Sequence, residues 1–177
     1  VQRVSTTVIA LVGSAARDCA SELARAANLR AVLPDAGVEP FDRAVQAWRE
    51  AKGAHIPYLV HDADPLTVVA ASWVDWFTQR APVGTVEVAV QQATARWRAQ
   101  AIELPDYYLV LDPEALDETW RHWYLGFLHR AAPHRVVPVQ AAPAVVAACI
   151  AHLPAGRWWP DLDRLLDGVE RVVPDRA

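Results

Sequence analysis

Polarity along this chain changes in blocks. Residues 6–12 (TTVIALV) form an apolar, largely β-branched run closed by Gly13, the pattern of a strand buried on both faces. Residues 17–29 then carry helix formers, with Ser14 placed to act as an N-cap. Within 30-RAVLPDAG-37 a short strand is expected over 31–34, ended by Pro34, Asp35 and Gly37. Phe41, Val45 and Trp48 fall at i, i+4 and i+7, so 40–52 reads as a helix. The segment 56-IPYLVHDADP-65 reads as a strand over 57–61, broken at Asp64–Pro65. Two helices follow without a strand between them. One spans 66–79 through Val69, Trp73 and Trp76, the other 85–103 through Val86, Val90 and Trp97. A strand over 107–111 in 107-YYLVLDP-113 leads to the sharpest periodicity in the chain. Over 117–131, Trp120, Trp123, Tyr124, Phe127 and Leu128 lie on one face of a helix. A strand at 135–139 (RVVPV), a helix at 143–153 and an amphipathic helix at 160–173 complete the pattern, the last opened by Pro160.

Strands separated by helices cannot pair as hairpins and need crossovers. The expected fold is therefore α/β, three-layered, with a mostly parallel five-stranded sheet and helices on both faces. No repeat, low-complexity stretch or linker interrupts it. One domain is expected over 1–177, with its core at 6–153. The 53% hydrophobic and 21% charged content of the 177 residues suits a globular chain and argues against disorder. A net charge of −4 supplies no basic field for nucleic acid. No apolar run approaches the roughly 20 residues of a membrane span, and the first residues lack a signal-peptide pattern. A cytoplasmic protein with no membrane partner is expected. Cys19 and Cys149 lack metal-type spacing and read as free thiols of a reduced compartment. Abundant alanine and arginine beside a single lysine, Lys52, point to a high-GC bacterial genome. With no methionine present, Val1 reads as an initiator valine codon.

In open parallel sheets, ligands bind outside the carboxyl ends of the strands. The residues following the five expected strands are Gly13 and Ser14, then Asp35, then Asp62 and Asp64, then Asp112, and finally Gln140. Aspartate is also favoured there for turning the chain and capping helices. Asp62 and Asp64 stand apart, because alternate residues of an extended segment can face one way and share a divalent cation such as Mg2+. His61 would face the opposite side, as a packed or solvated histidine.

The glycine turn after the first strand, the acidic residues after the third and the paired helices before the fourth resemble the P-loop nucleoside and nucleotide kinases. The resemblance covers roughly residues 6–153 by order of elements. It extends to 107-YYLVLDPEALDETWRHWYLG-126, similar in layout to that family's arginine-bearing lid helix. It implies a nucleotide or other anionic small molecule as ligand. The family motif GxxxxGK[ST] falls on Gly13 through Ala20, and only Gly13 matches. Asp18 replaces the second glycine, Cys19 the lysine, and Ala20 the magnesium-binding hydroxyl. These departures remove the chemistry that neutralises a polyphosphate, so efficient ATP-dependent phosphoryl transfer is not expected. Arg17 could restore part of the charge.

Other catalytic patterns are missing. Ser14 has no G-x-S-x-G elbow, the six histidines show no H-E-x-x-H spacing, and Gly13 is alone where dinucleotide binding requires three glycines. Gly13, Ser14, Arg17, Asp62, Asp64, Asp112, Arg121 and His122 are therefore candidate ligand-binding residues, with Asp62 and Asp64 as candidate metal ligands. Arg121 and His122 read more simply as the solvated face of their helix. Because Asp62, Asp64 and Asp112 would repel a bare phosphate, binding is expected to need a bridging divalent cation. The adjacent Trp158 and Trp159 cannot easily both turn inward, so one packs the last helix and the other meets a pocket or partner. The functional readings are a binder of a nucleotide or phosphometabolite on a degenerate kinase-like scaffold, and a non-catalytic interaction or oligomerisation module that could pair with a second copy.

Overall fold

The computed structural model describes residues 6–173; Val1 lies outside them. Five strands form one sheet: β1 (Thr7–Val12), β2 (Leu29–Val32), β3 (Tyr58–His61), β4 (Tyr107–Leu111) and β5 (Val136–Val139). Every pairing is parallel and the order is β2-β3-β1-β4-β5. Apolarity tracks position. The interior strand β4 is buried at every residue, whereas the edge strands β2 and β5 carry exposed positions. Pro138 sits in β5, which pairs only with β4; at this edge its missing N–H costs no ladder bond.

The helices are α1 (Ala16–Leu23), α2 (Pro40–Lys52), α3 (Thr67–Phe77), α4 (Gly84–Arg98), α5 (Glu118–Arg121), α6 (His129–Ala131), α7 (Pro143–Ala151) and α8 (Leu162–Leu166). Alternation along β1 divides them between two faces. Ile9 and Leu11 pack with Cys19 and Ala20 of α1 and with Val146 and Ile150 of α7. Ala10 and Val12 pack with Phe41 of α2, Trp73 of α3, Val86 of α4, Trp123 and Leu165. The sheet thus lies between two helical layers, as the α/β reading expects.

Several boundaries move for local reasons. The helix expected over 17–29 stops at Leu23, and Asn28 adopts φ 62 before β2 begins two residues early at Leu29. Asparagine tolerates this left-handed conformation and so ends the turn. Gln100, at φ 55, follows the end of α4 at Arg98, short of the expected 103. The amphipathic helix expected over 160–173 contracts to α8 and a 3-10 turn, Val169–Arg171, because Gly168 at φ 70 breaks it. Ser14 does not cap α1; Ala15 holds that position without a side-chain bond. The expected helix over 117–131 is present, but its middle, His122–Leu128, is a π-helix. Trp123, Tyr124 and Leu128 are all buried from it.

Topology singles out one edge. The chain leaves β1 across one face through α1 to reach β2. It then returns on the opposite face through α2, α3, α4 and the 118–131 segment. The loop after β1 therefore leaves toward one layer, while those after its neighbours β3 and β4 leave toward the other. A crevice opens at the carboxyl end of β1.

Candidate functional site

Gly13 makes the turn at this edge. Its φ is +117, and a Cβ there would stand 2.8 Å from the backbone oxygen of Leu111, so only glycine fits without displacement. Residues 13–15 alone connect β1 to α1, and the Ala16 amide donates back to the Gly13 carbonyl at 3.1 Å. The amino end of α1 consequently lies directly behind the strand. Asp18 is exposed, whereas Cys19 and Ala20 pack into the core between α1 and the sheet. Burial raises the Cys19 thiol pKa, with Glu22 adding to it, which favours the protonated form.

Asp62 is the centre of the edge. One Arg17 nitrogen, from the first turn of α1, donates to Asp62 Oδ2 at 2.9 Å and to the Pro34 carbonyl at 2.9 Å. Arg43, from the first turn of α2, donates to the same Oδ2 at 2.9 Å. The Asp62 side chain is only 4% exposed. Its other oxygen, Oδ1, is buried and has no hydrogen-bond partner among the described residues, and the same holds for Arg43 Nε. Two guanidinium groups thus share one carboxylate at the amino end of α1, whose first turn also carries the exposed Asp18.

Asp64 is separately employed. Its Oδ1 accepts from the Leu66 amide at 2.8 Å and from the Tyr108 hydroxyl at 2.8 Å, while Oδ2 accepts from the Tyr124 hydroxyl at 2.9 Å. Burial drives its pKa upward despite these three donors, and both tyrosine hydroxyls are pushed well above their ordinary value, chiefly by burial and then by Asp64. His61 is packed, not solvated. Its Nδ1 accepts from the Ala63 amide at 3.3 Å, and burial lowers its pKa to about 4. The ring is neutral at pH 7.

Gly13, Asp62 and Asp64 line a cavity of about 140 Å³ together with Arg43, Thr67 and Tyr124. Arg17 reaches it through Asp62. The other candidates lie outside that lining. Ser14 is exposed. Asp112, at φ 41, accepts from the Ala141 amide at 2.8 Å and so anchors the loop after β5. Asp35 accepts from the Gly37 amide at 2.9 Å, an ordinary turn role. Arg121 pairs with Glu114 at 3.2 Å, and His122 stands 4.0 Å from Glu118. Gln140 is exposed.

Of the candidate magnesium ligands, both Asp64 oxygens are engaged and Asp62 Oδ2 lies between two guanidinium groups, which leaves Asp62 Oδ1. Among the described residues no group of three or more acidic, histidine or cysteine side chains is arranged to hold a metal ion.

Sequence reasoning missed Arg43. Its signal was positional: it lies in the first turn of the helix after β2, so it too stands at the carboxyl edge. Tyr108 and Tyr124 gave only an apolar signal, although a buried hydroxyl needs a partner.

A larger cavity, about 690 Å³, opens at the opposite edge among Trp48, Trp97, Trp158 and Trp159. Its polar walls are already used. Asp106 accepts from the Val8 amide, Glu103 from Trp97 and Leu104, and Arg135 donates to the carbonyls of Gly156 and Arg157 while its guanidinium lies 3.8 Å from the Trp158 ring centroid. The buried, unpartnered Asp62 Oδ1 and Arg43 Nε belong instead to residues lining the smaller cavity at the carboxyl edge.

The molecule is thus a three-layer α/β protein with a five-stranded parallel sheet and a charged switch-point edge. Comparison with protein-family models, curated proteins and solved structures finds no match. Among the described residues, no helix is long and apolar enough to cross a membrane.

Proposed function

We propose that this protein binds a small phosphorylated ligand, the phosphate group of a nucleotide or phosphometabolite, at the carboxyl edge of β1, without efficient ATP-dependent phosphoryl transfer. The observation that carries this reading is the convergence of Arg17 and Arg43 on the buried Asp62 carboxylate at the amino end of α1. Two guanidinium groups, partly sheltered from water at the amino end of a helix, favour an anion. The absence of transfer chemistry is supported by buried Cys19 and Ala20, which stand where the resembled kinases carry a lysine and a hydroxyl. A three-residue turn also offers little backbone to wrap a polyphosphate.

Titration calorimetry with a panel of nucleotides and sugar phosphates, in the presence of EDTA, tests the reading. At least one phosphorylated compound is expected to bind without magnesium. Arg43→Ala is expected to weaken that binding about tenfold or more, as the loss of a charged hydrogen bond would. Arg121→Ala, whose side chain is engaged with Glu114, is expected to leave it within about twofold. A flat response across the panel, or robust magnesium-dependent ATP turnover, would overturn the proposal.

A further inference from the structure

We infer that the carboxyl-edge cavity selects a phosphate that still carries a proton, and that Asp62 reads that proton. The inference rests on the anion-binding reading above and specifies its ligand. Asp62 Oδ2 is satisfied by Arg17 and Arg43, but Oδ1 is buried and meets no donor among the described residues. An ionised carboxylate oxygen is only an acceptor, and burying it without a donor is costly. Arg43 Nε, likewise buried without a partner, is only a donor. Both residues line the same cavity, beside the Gly13 turn.

A complementary ligand must therefore donate one hydrogen bond and accept another within a small space. At about 140 Å³ the cavity is well below the ~300 Å³ where pockets for drug-sized molecules begin, so a phosphate group enters and a nucleoside stays outside. Inorganic phosphate meets the demand in both of its ionisation states near neutral pH. A P–OH donates to Asp62 Oδ1, and an unprotonated oxygen accepts from Arg43. A singly ionised phosphate monoester does the same. Sulfate has nearly the same size and shape but no proton at neutral pH. Its oxygen would face the Asp62 carboxylate with like charge and no hydrogen bond between them.

The test compares inorganic phosphate with sulfate by titration calorimetry on the full chain at pH 7 and fixed ionic strength. Phosphate is expected to bind at least tenfold more tightly than sulfate. In Asp62→Asn, whose amide can donate to sulfate, the preference is expected to fall to within about threefold, with thermal melts run beside it to verify folding. The parent comparison decides the matter even if that variant fails to fold. Equal affinity for the two anions in the parent would overturn the proton-reading role while leaving an anion site in place. Binding of neither would overturn both the role and the anion site.

Discussion

At the scale of single residues, burial governs the ionisable groups at this edge. His61 shows the effect most directly. Its folded pKa of about 4 lies below the ordinary 6.5, with desolvation the largest cause. The unfolded chain therefore takes up a proton at this residue well before the folded one does. The stability contributed by the neutral ring is complete above pH 6.5 and is lost as pH falls from there toward 4. Asp64 acts in the opposite sense. Its raised carboxyl contributes stability below its ordinary value of 3.8 that is lost as pH rises through the folded pKa. A variant separates the two. His61→Asn keeps a side-chain acceptor near the Ala63 amide but cannot ionise. Urea denaturation at pH 7 and pH 5 should show the parent losing about 2 kcal/mol more than the variant across that interval. Identical losses would mean that His61 protonates as freely folded as unfolded.

Among the elements, conformation at turns decides where helices end and where the site begins. Two glycines with positive φ make different demands. Gly168, at φ +70, has open space where a Cβ would stand, whereas a Cβ on Gly13 would meet the Leu111 carbonyl across β1 and β4. Gly168→Ala should cost about 1 kcal/mol, the usual left-handed penalty. Gly13→Ala adds displacement of strand backbone and should cost about 3 kcal/mol or more. Denaturant melts of both variants measure the difference; equal losses would show that the contact between β1 and β4 yields easily. The π-turn at His122–Leu128 belongs to this scale as well. It buries Trp123 and Tyr124 side by side, and from it the Tyr124 hydroxyl reaches Asp64. Helical periodicity alone identified the apolar face of this segment. It could not identify the wider turn, because that depends on the sheet and on α3 packed against it.

Over the whole molecule, the last described residues close the core. Leu162, Leu165, Leu166 and Val169 are buried in the helical layer that carries Trp73, and Trp73 Nε1 donates to the Val169 carbonyl at 3.2 Å. Four such side chains contribute on the order of 6–12 kcal/mol when buried, comparable with the net stability of a typical domain. A chain stopped after Pro160 is therefore expected to lose cooperative thermal unfolding and the near-ultraviolet signal of its packed tryptophans. Retention of both would show that residues 161–173 are a dispensable cover.

Particular residues show where sequence sufficed. The buried runs TTVIALV and YYLVL specified central parallel strands, because a strand covered on both faces must be apolar throughout. The alternation of strands and helices then placed Gly13, Asp62 and Asp64 at one edge, since parallel strands end together. Local periodicity carries no information about which neighbour a side chain will meet. It therefore left open that Arg43 would join Arg17 on Asp62, that Asp64 would be taken by two tyrosines, and that Asp112 and Arg121 would be engaged elsewhere. Tertiary structure decided those pairings. They depend on crossovers bringing residues 17, 43 and 62 within hydrogen-bonding distance, a relation in space rather than along the chain.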